Sequence, residues 1–318
     1  MVVSMVSVAI AKGDNRYQNI SRALSLVEKE VSVKIKGTVL MKPNLVVDDN
    51  PLAVTHVDAV RAVLDFVMKY HPEKILVAEA SGNVSERFNI FGYRDLEKEY
   101  DVELVDLNKG EFEEFKLLTS EMTETSCKLS KIAIDADCRV SLAVPKSHSE
   151  VIATLSIKNA MGFIFGQEQW KIHGLREFGG GNLPLCVKVI HRNLVRLLKH
   201  VPFHISVLDG FTGVEGGTVP QCGRGDKVDL GLAFASADPV AVDAVAAKTI
   251  GFEPEEIGYI YYAGREGLGE DDLSKINVVG ERIPEVHRAF APPPRIEVLR
   301  AWRTGAATIA LDNCKSTC

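Results

Sequence analysis

The sequence predicts an α/β protein in which helices cover a mostly parallel sheet. Short apolar runs alternate with segments of helical periodicity along most of the 318 residues, which is the pattern of strand–helix–strand units. Hydrophobic residues make up 46% of the chain and charged residues 25%, as in globular proteins with a sizeable core. Polar residues directly follow several apolar runs, so we also expect a polar site at the carboxyl ends of the strands.

Seven short apolar runs are predicted as strands, because each is bounded by proline, glycine or charged residues. Residues 1–11 lack the basic start and the cleavage site of a signal peptide, which favours a strand in the first run. The seven runs are residues 6–10, 38–41, 74–78, 102–106, 138–144, 205–208 and 230–235.

Three helices are predicted between these strands. Residues 55–70 carry an apolar stripe at helical spacing, with Thr55 as the expected N-cap. Asp238 precedes a proline at the first position of a second helix, which is a strong start signal. Residues 185–199 form the third predicted helix.

We expect an α/β core over residues 1–280, either as one body or as two intertwined lobes. Within it, the segment near residues 170–184 is glycine-rich and has the composition of a mobile loop or lid beside a site. Three consecutive prolines at 292–294 indicate that residues 281–318 are a proline-rich linker and C-terminal tail, with a helix over 296–311.

Charge and hydropathy argue against several classes of function. A formal net charge of −6 does not suit nucleic-acid binding, which requires a basic face. No apolar run approaches the roughly 18 residues of a membrane-spanning helix. The six cysteines are scattered, as in a reducing compartment. We expect a cytoplasmic protein that binds neither nucleic acid nor membrane; its oligomeric state and the role of Cys314 and Cys318 stay open.

Five of the predicted strands end in polar residues, and this is the main indication of function. If the strands are parallel, these ends meet at one edge of the sheet, where open α/β folds bind ligands. Asp238 is interpreted as a helix cap, and Asp209 before a glycine suits a turn as well as a function. The residues at the five ends are Lys42 and Asn44, Glu79, Lys146 and His148, Asp209, and Asp238.

Three lysines are predicted to hold or polarise a carboxylate or phosphate. Lys42 and Lys146 each flank a proline just beyond a strand, so their side chains start at the sheet edge. Lys158 lies within an apolar stretch, residues 151–165, where a half-buried ammonium requires an anion, a carbonyl oxygen or a lowered pKa.

Two histidines are candidates for proton transfer. His148 is the predicted general acid or base, and His173, carried by the glycine-rich segment, is the second candidate. Amide side chains would orient the substrate, and carboxylates would pair with the lysines or hold a metal ion; these are Asn44, Asn159, Glu79 and Asp209.

Familiar cofactor motifs do not occur in the sequence. It contains no phosphate-binding glycine loop, no dinucleotide fingerprint, no serine elbow and no clustered cysteine and histidine spacing typical of zinc. The cofactor is therefore unknown, and a divalent metal remains compatible with the carboxylates.

Several of these motifs together resemble one family, called domain of unknown function 362. The resemblance covers residues 38–280, and it implies an α/β fold with a set of recurring polar residues. The chain has Ser147 where that family usually has a second lysine, and it lacks the ferredoxin-like cysteine cluster of many members, so no iron–sulfur cluster is expected. The motifs are Lys42-Pro43-Asn44, Pro145-Lys146-Ser147-His148, residues 154–159 with Gly162, Asp209-Gly210, Gly267-Leu268-Gly269, and residues 236–243.

The first hypothesis is an enzyme that acts on a small anionic metabolite, a carboxylate or phosphate, through a lysine and histidine site. Proton transfer of the isomerase, racemase or lyase type fits these residue types. The alternative is a redox accessory protein that binds a metal or cofactor without turnover of its own. A structural or interaction domain is a third reading, and it would predict an exposed apolar patch.

Overall fold

A ten-stranded mixed sheet lies at the centre of the computed structural model, which describes residues 5–174, 183–217, 225–294, 296 and 300. Ten strands build this sheet and two more form a separate hairpin. The strands are β1 (Val6–Lys12), β2 (Thr38–Pro43), β3 (Lys74–Glu79), β4 (Glu103–Asp106), β5 (Phe112–Leu118), β6 (Glu124–Ser130), β7 (Cys138–Ala143), β8 (Lys146–His148), β9 (Ile152–Thr154), β10 (Ile205–Glu215), β11 (Asp226–Ser236) and β12 (Ile276–Gly280).

Helices cover both faces of the sheet, as the sequence predicts. All seven predicted strands are confirmed, as β1, β2, β3, β4, β7, β10 and β11. The helices are α1 (Arg16–Leu26), α2 (Glu28–Val31), α3 (Val57–Met68), α4 (Val84–Ile90), α5 (Leu96–Glu99), α6 (Lys131–Asp135), α7 (Leu183–His200), α8 (Pro239–Thr249), α9 (Gly258–Arg265) and α10 (Ile283–Val286).

The strand directions decide which side chains share an edge. The order is β12-β1-β11-β10-β7-β2-β3-β4, and the five strands from β10 to β4 are parallel. Strand β11 runs antiparallel to both of its neighbours, so it ends at the opposite edge. The expectation that Asp238 joins the other four strand ends is therefore wrong. Its Oδ1 accepts hydrogen bonds from Val240 and Ala241 and caps α8, as predicted.

The side chains of alternate strand residues form two apolar layers, one on each face of the sheet. In β2, Leu40 packs into the layer under α7, α8 and α9, while Val39 and Met41 pack into the layer under α1 and α3. Successive strand side chains point to opposite faces, and both faces here are covered, so nearly every residue of the central strands is buried.

Thr55 is not the cap of α3. The His56 Nδ1 atom accepts the Asp58 N–H at 3.1 Å and caps the helix instead. Thr55 is fully buried, so its hydroxyl must find partners inside the protein. It accepts the Asn44 N–H at 2.9 Å and donates to Leu142 O at 2.7 Å, which ties the ends of β2 and β7 together.

A strained hairpin follows β7. Strands β8 and β9 pair antiparallel, with His148 opposite Ile152. Ile152 has a φ of 68° and is fully buried. A β-branched residue in the left-handed region costs about 1–3 kcal/mol, and such strain persists where the surroundings hold it, often next to functional residues.

Some expectations fall partly or wholly outside the described residues. These are residues 175–182 of the glycine-rich loop, most of the C-terminal helix, and Cys314 and Cys318. The start of that loop lies in the 3-10 helix Gly166–His173. No helix among the described residues is long and apolar enough to cross a membrane.

Acid stability is expected to depend on His191. This residue of α7 is fully buried, and burial lowers its pKa to about 3. The unfolded chain binds the proton near pH 6.5 and the folded chain only near pH 3, so stability falls as the pH falls through that window. His191→Asn keeps an acceptor for the Tyr259 N–H without titrating. Between pH 6 and 4, the unfolding free energy of this variant in urea denaturation should fall by about 1.4 kcal/mol less per pH unit than that of the wild type. If both proteins lose stability equally per pH unit, this role of His191 is contradicted.

Candidate functional site

Lys42 and Glu79 form a buried ion pair at the ends of β2 and β3. The Lys42 Nζ atom lies 2.8 Å from Glu79 Oε2, and both side chains are 1% exposed. Lys42 also donates to Pro43 O at 2.6 Å. Glu79 accepts the N–H groups of Leu45, Ala80 and Ser81 at 2.9, 2.8 and 3.1 Å.

Burial and pairing act on this ion pair in opposite directions. Burial lowers the pKa of Lys42, against the attraction of Glu79. Burial alone would raise the pKa of Glu79, but the Lys42 charge and the backbone N–H groups bring it below its usual value. The pair lies directly against Gly162, where a Cβ atom would be 2.3 Å from Lys42 Cε. Both groups are thus enclosed by protein and paired with each other.

A chain of amide hydrogen bonds connects this pair to Lys146. Asn159 donates to Lys42 O at 2.7 Å, and the Asn44 amide nitrogen lies 3.4 Å from Asn159 Oδ1. The Lys146 Nζ atom in turn donates to Asn44 Oδ1 at 2.9 Å and to Ala53 O at 2.7 Å. Lys146 is 5% exposed, so only a small part of it faces solvent.

Asp209 pairs with Arg16, a residue that the sequence reading did not select. The Arg16 Nε atom lies 3.0 Å from Asp209 Oδ2, and Arg16 also donates to Thr212 Oγ1 at 3.3 Å. Asp209 is 3% exposed; burial raises its pKa, and the Arg16 charge opposes that shift. Arg16 follows β1, whose carboxyl end lies beside the carboxyl ends of the parallel strands. Its position after a strand is the sequence feature that could have identified it.

The accessible part of the site is a cluster of four ionisable residues: His148, Glu150, Lys158 and His173. The Nδ1 atom of His173 is hydrogen-bonded to Glu150 Oε2, and these two side chains are 21% and 23% exposed. The Nδ1 atom of His148 accepts the Glu150 N–H at 3.1 Å. Lys158 is half-buried, and its charge acts on both His148 and Glu150. Glu150 was not selected from the sequence.

Buried polar residues hold this cluster in position. The Asp243 carboxylate accepts the N–H groups of Ser156 and Ile157 at 2.8 and 2.9 Å, just before Lys158. Asn193 of α7 donates to Ile172 O at 3.0 Å, next to His173. The positions of Lys158 and His173 therefore depend on α8 and α7, which both follow later in the chain.

The structure places all nine sequence-predicted residues near the carboxyl ends of the parallel strands, but in two environments. Lys42, Glu79, Asn159, Lys146 and Asp209 are buried and engaged with protein groups. His148, Lys158 and His173 are partly open to solvent, and Asn44 lies between the two groups. Among the described residues, no group of three or more histidine, cysteine, aspartate or glutamate side chains is arranged so that it could hold a metal ion.

An open cleft of about 710 Å³ lies at the ends of β3 and β4. Its floor is rigid, because Asn108 donates to Ala80 O at 2.8 Å and accepts the Gly166 N–H at 2.6 Å. The segment of residues 79–82, which follows β3, thus has solvent on one side and the buried Lys42–Glu79 pair on the other. The lining includes Asp106, Lys128, Phe165 and Glu168.

Comparison with known proteins shows similarity to a protein family, to a curated sequence relative and to several solved structures. The family described as Domain of unknown function (DUF362) matches residues 39–248, more than half of the chain. A thylakoid-associated protein of Synechocystis sp. is 28% identical in an alignment of 245 positions that covers 74% of this chain and 70% of that protein. The lactate racemase apoprotein from Thermoanaerobacterium thermosaccharolyticum aligns with a TM-score of 0.48 and 16% identity, over 77% of this chain and 57% of the racemase chain.

Proposed function

This chain belongs to the DUF362 family. We propose that it is an enzyme that removes a proton from, and returns one to, a small anionic metabolite that is a carboxylate or a phosphate. The half-exposed cluster of His148, Glu150, Lys158 and His173 supports this proposal most directly. It combines a cation that attracts an anion with imidazole groups, the side chains that most often transfer protons in enzymes.

In this proposal the two environments of the site have different tasks. Lys158 attracts the substrate anion, and Asn44, held from behind by Lys146 and Asn159, orients the substrate. The buried pairs Lys42–Glu79 and Arg16–Asp209 keep the strand ends at fixed distances, since each group is already held by its partner. Catalysis needs this rigidity, because misplacement by about 1 Å can cost a hundredfold in rate.

Anion binding is the first result to test. Thermal unfolding with phosphate, citrate or 2-oxoglutarate should show a concentration-dependent rise in Tm for at least one anion. Lys158→Ala should weaken that binding about 10- to 100-fold, because a hydrogen bond to a charged group contributes roughly 1.5–3 kcal/mol. Lys74→Ala is the matched control, since Lys74 starts β3 at the opposite edge of the sheet. Equal binding by wild type and Lys158→Ala would contradict the proposal.

A further inference from the structure

Two hydrogen bonds fix the protons of His148 and His173 on different ring nitrogens. In His148, Nδ1 accepts the Glu150 N–H at 3.1 Å, so the proton of the neutral ring is on Nε2. In His173, Nδ1 faces the Glu150 carboxylate, which can only accept when ionised, so the proton is on Nδ1. Neutral His148 therefore presents an N–H donor at Nε2, while neutral His173 presents a lone pair there.

The charge state of Glu150 supports this arrangement. Burial alone would raise the pKa of Glu150, but the hydrogen bond from His173 and nearby positive charge, including that of Lys158, lower it to about 2. An ionised carboxylate on Nδ1–H fixes the orientation and the tautomer of the ring. One residue, Glu150, thus orients both histidines, through its backbone and through its side chain.

The surroundings of His148 keep its ring neutral. Burial lowers the pKa of His148 well below 6.5, the charges of Lys158, His173 and Lys146 lower it further, and Glu150 opposes them. A neutral imidazole can polarise a carbonyl oxygen by donating a hydrogen bond without giving up its proton. His148 is poorly suited as a base, because the Glu150 N–H already occupies its lone pair.

We propose that His173, oriented by Glu150, removes a proton from a carbon atom next to a carbonyl group, while His148 Nε2–H and Lys158 bind the carbonyl oxygen. This inference rests on the proposed function and narrows the substrate class to small carboxylates or phosphates that carry a carbonyl group with an adjacent C–H.

The step balances without a further reactant. The C–H bond breaks and its proton moves to His173 Nε2. The C–H electron pair forms the C=C bond of the enolate, and the carbonyl π pair moves to the oxygen that His148 and Lys158 hold. Return of a proton from His173 Nε2 to the same carbon restores the C–H bond and the carbonyl group, with nothing oxidised or reduced, and in D₂O the returned hydrogen is deuterium.

The protonation pattern can be tested without any substrate. Long-range ¹H–¹⁵N correlation spectra of the ¹⁵N-labelled full chain distinguish the two neutral tautomers from the charged ring. His148→Gln and His173→Gln assign the signals by their loss. We expect His148 to be neutral with its proton on Nε2 from pH 8 to 6, and neutral His173 to carry its proton on Nδ1. A proton on Nδ1 of His148, or a charged His148 at pH 7, overturns the division of roles.

Proton removal is tested by hydrogen exchange in D₂O. The probes are 2-oxobutyrate, 2-oxoglutarate and dihydroxyacetone phosphate, and ¹H NMR follows the loss of their C–H signals. We expect the wild-type protein to exchange at least one probe faster than buffer does. His173→Gln should exchange that probe about 10²- to 10⁴-fold more slowly than the wild type. Glu150→Gln should slow the exchange less than His173→Gln does and should change its pH dependence. Lys74→Ala should leave the exchange rate unchanged. Circular dichroism confirms that each variant is folded.

The outcomes separate this inference from the function on which it rests. Anion binding without exchange of any probe overturns the carbonyl class and leaves the proposed function standing. Exchange that His173→Gln does not slow overturns the role of His173. If no anion binds and no probe exchanges, the proposed function fails as well.

Discussion

Lys42→Met is expected to lower the free energy of unfolding by about 3–5 kcal/mol. Methionine is an unbranched apolar side chain of similar length, so the main loss is the charge. Removal of that charge leaves the Glu79 carboxylate buried without its cation, at 1% exposure. The urea denaturation midpoint of the purified variant measures the effect.

Two further variants show whether this loss comes from the unpaired carboxylate. The double variant Lys42→Met with Glu79→Gln should be more stable than Lys42→Met alone, because a neutral amide tolerates burial better than an unpaired carboxylate. Lys74→Met removes one partner of the exposed Lys74–Glu103 pair and should change stability far less. If Lys42→Met and Lys74→Met have equal effects, the buried pair does not stabilise the strand ends.

The fold was largely predictable from local patterns, and the strand directions were not. Apolar runs and their polar ends located β2, β3, β7 and β10, because burial on both faces leaves a continuous apolar signal. The same signal in β11 does not say whether that strand is parallel or antiparallel. Direction depends on how the chain returns from β10, and residues 218–224 of that connection lie outside the described part of the chain. Asp238 was consequently expected at the wrong edge.

The location of the candidate residues was predictable from the sequence, but their burial and their contacts were not. Lysines and histidines after strands indicated the edge, and Lys158 in an apolar stretch is half-buried, as expected. Sequence spacing does not reveal that Lys42 is enclosed by Glu79 and Gly162, because these contacts join segments more than 35 residues apart. Glu150 was missed because an acidic residue in a short polar turn usually faces solvent.

Asp243 holds the turn before Lys158 from the inside of the protein. It is fully buried in α8 and accepts two N–H groups, from Ser156 and Ile157. Asp243→Ala leaves both donors buried without an acceptor, and each such group costs about 1–3 kcal/mol. We expect a loss of about 2–5 kcal/mol in urea denaturation. The His148 ring signals should also shift, because the segment that carries Lys158 loses its anchor; a stable variant with unchanged signals contradicts this role.

Asp243→Asn is expected to show that the buried carboxyl group is protonated at low pH. Burial raises the pKa of Asp243 well above 3.8, although the two N–H groups oppose this. The folded protein then binds this proton more tightly than the unfolded chain, so its stabilising effect is complete below pH 3.8 and is lost as the pH rises towards the folded pKa. Asparagine does not titrate, so the stability difference between wild type and Asp243→Asn should shrink from pH 4 to pH 8. A difference that grows with pH would mean that the two N–H groups hold an ionised carboxylate.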